Sequence, residues 1–187
     1  MYLYTVNFGN YDQIPPNHYY SKKVKYICFY NQQIVKRKGW EYIKINSSKD
    51  SKNLSRNFKI NFYKYFLIDS NIIYVDCNWI ITQKLINISF NFFKKNTFGV
   101  LKHSARKNLL DELVDWYLIS VADEEHLINL FKYFKRTKYI FEKHYCPHCC
   151  LMLRTNNSQN AEFSKVWWKY YKKFNIRDQL PFSVTSL

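Results

Sequence analysis

The sequence predicts an α/β fold with a mostly parallel central sheet flanked by helices, on three observations. Runs rich in aromatic and β-branched residues, Tyr2 to Phe8, Val24 to Tyr30 and Ile72 to Val75, have the composition of buried strands. Between the last two, Phe58, Phe62, Tyr65 and Phe66 recur at helical spacing downstream of Ser55. A strand, a helix, and then a strand that stops abruptly in Asp76-Cys77-Asn78 is the grammar of a right-handed βαβ crossover.

Taken in order, the first strand is broken by the turn chemistry of Gly9-Asn10-Tyr11-Asp12, and a loop stiffened by Pro15-Pro16 leads to the second. Trp40 to Ile45 reads as a short third strand, followed by a polar surface loop from Asn46 to Asn53. Ser55 is the expected N-cap of the first helix, which brings Arg56 and Lys59 together near its start. After the Ile72 to Val75 strand, Ile86 to Phe93 and Phe98 to Leu101 read as short strands, the second leading into Lys102-His103. Arg106 to Ser120, with Leu109, Leu110, Leu113, Trp116 and Tyr117 on one stripe, predicts an amphipathic helix. A further helix from Asp123 has Glu124 and Glu125 in its first turn, Lys135 and Arg136 near its end, and Leu127, Leu130, Phe131 and Phe134 as its buried face. Cys149 to Leu153 reads as a late strand ending in Arg154, and Glu162 to Phe174 as a helix. Arg177 to Phe182 turns the chain into its last element.

Length and composition bound the class. The 187 residues, 47% hydrophobic and 20% aromatic, suit one globular domain over residues 1–187. A net charge of +15 implies an anionic partner without choosing among nucleic acid, a membrane surface and a phosphorylated small molecule. The abundance of Asn, Lys, Ile and Tyr, typical of AT-rich coding, accounts for part of that charge. No apolar run reaches the roughly 20 residues of a membrane span, and Met1 to Thr5 lacks a signal-peptide pattern, so the expectation is a soluble cytoplasmic protein. Five cysteines, crowded at Cys146, Cys149 and Cys150, read as reduced thiols rather than a disulfide framework. Sequons at Asn46, Asn53, Asn87 and Asn156 are expected by chance in a chain this rich in Asn and Ser.

Several constellations invite chemistry. In an open α/β sheet the carboxyl ends of strands border the ligand crevice, which puts Asp76 and Asn78 where ligands bind. Asp-x-Asn offers two oxygen ligands on one side of a turn, suited to a Mn or Mg ion shared with a diphosphate. An Asp closing a strand also serves as turn former or cap, and the tripeptide alone leaves both readings open. His144 and Cys146-Pro147-His148-Cys149-Cys150 lack a second ligand pair, since Cys28 and Cys77 are isolated, and buried thiols leading into a strand are the preferred reading. Lys132 to Arg136 and Trp167 to Lys173 interleave bases with aromatics as a nucleic-acid surface would, yet on helices they separate into buried and solvated faces. No helix-turn-helix, RNP or paired zinc-finger pattern accompanies them. A triad of His103, Ser104 and Asp178 lacks the Gly-x-Ser-x-Gly elbow and is rejected.

The order of Asn7 to Asp12, Arg56-x-x-Lys59, Tyr74-Val75-Asp76-Cys77-Asn78, His103-x-x-Arg106 and Arg177-Asp178-Gln179 resembles one family. It is similar to the glycosyltransferase-like domain of the plant mucilage-related and turgor-regulation-defect proteins, over Val6 to Phe182. The resemblance implies a single GT-A-like (Rossmann-like) domain, hexosyltransferase-like, with a nucleotide-sugar donor and an unknown acceptor. Asn10, Tyr11, Arg56, Lys59, Asp76 and Arg154 are then the donor-binding residues, with Asp76 and Asn78 as ligands of a divalent cation. Asn78 departs from the usual second carboxylate, and Arg56, Lys59 and Arg154 are expected to supply part of the missing positive charge. Asp178 and His103 become the catalytic candidates, and Arg106, Arg177 and Gln179 line the acceptor side or support it. The competing expectation is a noncatalytic basic protein that binds nucleic acid or another polyanion.

Overall fold

A computed structural model describes residues 1–47, 50–118, 124–136, 146–174 and 177–186. The expected helix start at Asp123 and the cluster's His144 lie outside them, as do the side chains of Trp116, Tyr117, Phe134, Lys135 and Arg136.

The strands are β1 (Tyr2–Asn7), β2 (Lys25–Tyr30), β3 (Glu41–Lys44), β4 (Asn71–Val75), β5 (Phe98–Lys102) and β6 (Pro147–Thr155). They form one six-stranded sheet in the order β3-β2-β1-β4-β6-β5. β3, β2, β1 and β4 run parallel, whereas β6 is antiparallel to β4, pairing Val75 with Leu151 and Asn71 with Thr155. The sheet is therefore mixed. The helices are α1 (Ser51–Ile60), α2 (Gln83–Phe93), α3 (Leu109–Leu118), α4 (Glu124–Arg136), α5 (Ser158–Phe174) and α6 (Gln179–Thr185).

Two compact units emerge. The first comprises Met1–Val100 with Cys150–Lys165, the second Leu101–Cys149 with Val166–Leu187. In the first, strand alternation sorts side chains to two faces. Leu3, Tyr26, Cys28, Ile73, Val75, Leu151 and Leu153 pack on one face with Ile14, Trp40 and Ile86. Tyr4 and Phe29 on the other meet an aromatic layer of Phe58, Tyr65 and Phe66, with ring centroids 5.0 Å apart for Tyr4–Phe66 and for Phe29–Phe58. In the second unit, Leu109, Leu113, Leu127, Leu130, Cys146, Phe174 and Leu180 form a separate core.

Three local expectations are corrected. The segment read as a strand over Ile86 to Phe93 is α2, capped by Thr82, whose side chain accepts from Leu85 N. Ile86, Ile88, Phe90 and Phe92 alternate as in a strand, but Ile86, Ser89, Phe90 and Phe93 also lie at helical spacing, and the cap breaks the tie. α1 begins one turn earlier than Ser55: Asp50 caps it by accepting from Asn53 N at 2.8 Å. Phe131, expected in the buried face of α4, is 39% exposed. No helix among the described residues is long and apolar enough to cross a membrane.

Candidate functional site

The strand order reverses at β1, because β2 and β3 continue on one side of it while β4 lies on the other. Loops leaving the carboxyl ends of two such strands diverge, and the crevice between them is where open α/β sheets bind ligands. A cleft of about 330 Å³ lies at this edge, and Asn7, Tyr11, Asp12, Arg56, Asp76 and Cys77 contribute to its walls. Every lining residue belongs to the first unit.

The first wall is the loop after β1. Gly9 (φ 83°) and Asn10 (φ 54°) are both left-handed, so the chain doubles back and brings Tyr11 and Asp12 to the cleft. A side chain at position 9 would strain this turn, and its Cβ would lie 2.6 Å from the Tyr11 ring and 3.0 Å from Ser51 Cβ. Gly9 N donates to Asn31 Oδ1 at 3.0 Å, and Asn7 Nδ2 donates to the Asp12 carbonyl at 2.9 Å, which pins both ends of the loop.

The second wall is α1. Its early start places Lys52, Ser55, Arg56 and Lys59 at helical offsets of three, four and seven, a single stripe, while Leu54 and Phe58 are buried. Lys52, Ser55 and Arg56 line the cleft. Lys59 lies deeper, 3% exposed, with Nζ 3.6 Å from Asp76 Oδ1 and 5.1 Å from the centre of the Tyr74 ring. Lys52 and Ser55 are functional candidates that sequence reasoning missed. The signal is the spacing of Lys52, Arg56 and Lys59, masked in the sequence by the polar character of Asn46 to Asn53, which reads as a loop.

The third wall is the end of β4. Asp76 Oδ1 accepts the Tyr74 hydroxyl at 2.6 Å, and Asp76 N donates to the Cys150 carbonyl of β6 at 2.9 Å. Burial, then the neighbouring Asp76 charge, pushes the Tyr74 phenol well above its usual range, so it stays a hydrogen-bond donor. Cys77 is likewise held as a thiol, pushed up to about 12 by burial and then by Asp12, which rules out a thiolate nucleophile near neutral pH.

The divalent-cation expectation meets this geometry poorly. Asp76 Oδ1 already accepts a hydroxyl and faces an ammonium, and the exposed Asn78 turns its amide nitrogen to Asp12 Oδ1 at 3.4 Å. Among the described residues no three His, Cys, Asp or Glu side chains converge as a metal shell. Asp76 Oδ1 is thus engaged by the protein's own groups before any divalent ion is added.

Of the expected donor-binding residues, Tyr11, Arg56 and Asp76 line the cleft, Lys59 backs it, and Asn10 sits in the loop that borders it, while Asn78, expected as a metal ligand, lies in the turn after β4. Arg154 does not belong with them. It is fully buried, donates to the Lys59 carbonyl and the Tyr4 hydroxyl at 2.8 Å each, and lies 4.0 Å over the Phe62 ring. Because β6 is antiparallel to β4, Arg154 pairs with Ile72, at the sheet edge away from Asp76.

The remaining candidates are in the second unit. His103 Nδ1 accepts from Ala105 N at 3.2 Å and Arg106 N at 3.1 Å. Burial, then Arg106 and His148, lowers its pKa, leaving a neutral imidazole whose Nδ1 lone pair is engaged in its own turn. Arg106 is bound to Glu112 and, at 2.6 Å, to Asp115. Asp178 is buried, its carbonyl accepting from Trp167 Nε1 at 3.0 Å; Arg177 and Gln179 flank it, both half-buried.

No protein-family model matches the chain, and no curated protein sequence matches it. Its mixed α/β fold is similar to that of a solved structure. The apo crystal structure of mouse xyloside xylosyltransferase 1 superposes with a TM-score of 0.50 at 7% identity, covering 97% of this chain and 80% of that one.

Proposed function

We propose that the chain is a glycosyltransferase that binds a nucleotide-sugar donor with its diphosphate in the cleft at the carboxyl ends of β1 and β4 and passes the sugar to an acceptor. The observation that carries this reading is the cleft itself: Lys52 and Arg56 face a strand-tip carboxylate, Asp76, at the point where the strand order reverses. Glycosyl transfer makes its largest electrostatic demand at the departing diphosphate, and fixed cations in the cleft wall supply part of it. The fold likeness to a xylosyltransferase supports the same class, and the motif order resembling the plant mucilage-related family is its finer form. Asp76 then positions the donor, its second carboxylate oxygen accepting from sugar hydroxyls. No proton is routed through His103 or Asp178, whose groups are engaged or buried within the second unit.

Thermal unfolding in the presence of UDP, GDP, ADP and CDP tests the reading. One of them, at about a hundred times its Kd, stabilises the fold by roughly 2.7 kcal/mol and raises the midpoint by several degrees. No shift with any of the four removes the transferase reading. The net charge of +15 keeps a polyanion binder as the competitor, and its signature is affinity for nucleic acid that collapses with salt while the diphosphates leave the midpoint unchanged.

A further inference from the structure

We propose that Lys59 stands in for a divalent cation at Asp76, so that a nucleoside diphosphate binds this cleft without metal. The inference rests on the nucleotide reading of the cleft and adds its cofactor requirement. Four observations carry it. The cleft walls present two cations, Lys52 and Arg56, and two carboxylates, Asp12 and Asp76, a balance of zero that offers a diphosphate no net attraction. Lys59, behind the wall, tips that balance to one positive charge. Its ammonium is 3.6 Å from Asp76 Oδ1 and nearly excluded from water, where an ion pair is screened far less than at the surface. The Tyr74 ring face lies 5.1 Å from the ammonium, and the Tyr74 hydroxyl donates to the same oxygen at 2.6 Å.

The arrangement separates two tasks that a bound metal would combine. A metal between carboxylate and diphosphate neutralises the carboxylate and grips the phosphate. Here Lys59 performs the first from beneath, and Lys52 and Arg56, one helical turn apart on the same stripe, face the space where the second is done.

Isothermal titration of the same four nucleoside diphosphates into the purified chain, in EDTA and in millimolar Mn or Mg, decides it. The wild type binds one of them in EDTA within about threefold of its affinity with metal. Lys59→Gln weakens binding in EDTA by about tenfold or more, and Mn restores most of the loss because Asp76 is then free to take the ion. Wild-type binding that collapses on chelation overturns the proposal, as does a folded Lys59→Gln that binds in EDTA like the wild type. If circular dichroism shows Lys59→Gln unfolded, the wild-type chelation result decides alone. If no diphosphate binds with or without metal, the nucleotide reading fails first and this inference falls with it.

Discussion

Two ion pairs of like chemistry sit in the two units of this molecule. Lys59–Asp76 in the first unit joins a buried cation to a carboxylate that is 38% exposed at the rim of a cleft. Arg106–Glu112 in the second reverses the arrangement, with a fully buried carboxylate and a cation 16% exposed. Around Glu112 the neighbours close the shell: Cys146 Sγ lies 3.6 Å away, its thiol pushed up to about 12 by burial and then by Glu112, and Asp115 holds the other side of Arg106. A carboxylate sealed in this way can only hold the fold together, whereas Asp76 keeps one side open to a ligand. Access, rather than the identity of the charges, separates a structural pair from a functional one.

The sharpest way to break this contrast is Glu112→Gln. Removing the charge leaves Asp115 as the carboxylate on Arg106 among the described residues, at a cost of roughly 3 kcal/mol, the lower end of what losing one partner of a buried pair costs. The unfolding midpoint should fall by about 10 °C, with nucleoside diphosphate affinity per folded molecule unchanged, as calorimetry and titration on the same sample would read. A variant that loses affinity while keeping its midpoint would mean the second unit takes part in binding.

Alkaline unfolding probes the first unit's aromatic face. Tyr4 is fully buried, and burial raises its phenol to about 12 from a usual 10.0, against the pull of Arg154. Below pH 10 both folded and unfolded chains keep the proton. Between pH 10 and pH 12 only the unfolded chain releases it, so stability falls by about 1.4 kcal/mol per pH unit, roughly 3 kcal/mol across the interval. Denaturant midpoints across that range should decline more steeply for the wild type than for Tyr4→Phe, and equal slopes would refute the assignment.

Arg154→Met sets a buried cation of the first unit against the cleft cations. It removes two hydrogen bonds at 2.8 Å and should cost about 1–3 kcal/mol of stability, leaving diphosphate affinity intact. Lost affinity at unchanged stability would restore Arg154 to the donor site.

The smallest expected effect in free energy is also the most diagnostic. Asp76→Asn keeps shape and removes the open charge, so turnover per folded molecule should drop about tenfold, near 1.4 kcal/mol of transition-state stabilisation, while any fall in the midpoint from taking this carboxylate away from the buried Lys59 is read separately on the same sample. Unchanged turnover per folded molecule would make Asp76 a second structural carboxylate and erase the difference between the two pairs.

Most strands, and the polar tip that closes β4, follow from the sequence alone. Aromatic and β-branched runs at Tyr2–Asn7, Lys25–Tyr30 and Asn71–Val75 have few other ways to bury themselves, and an acidic residue directly after such a run must sit at a sheet edge. Gly9 was legible as a turn for the same reason, since few residues tolerate its backbone. Strand direction was not legible. Nothing local in Pro147–Thr155 says whether the strand runs with or against β4, and that one choice carries Arg154 to the far edge while bringing the Cys150 carbonyl to Asp76. The start of α1 was recoverable only through Asp50, a cap whose meaning depends on the helix that follows it, and that extra turn is what puts Lys52 in the cleft. The exposures of Asp76 and Glu112 were beyond reach, because accessibility belongs to neither residue: it is set by whatever distant chain packs above it.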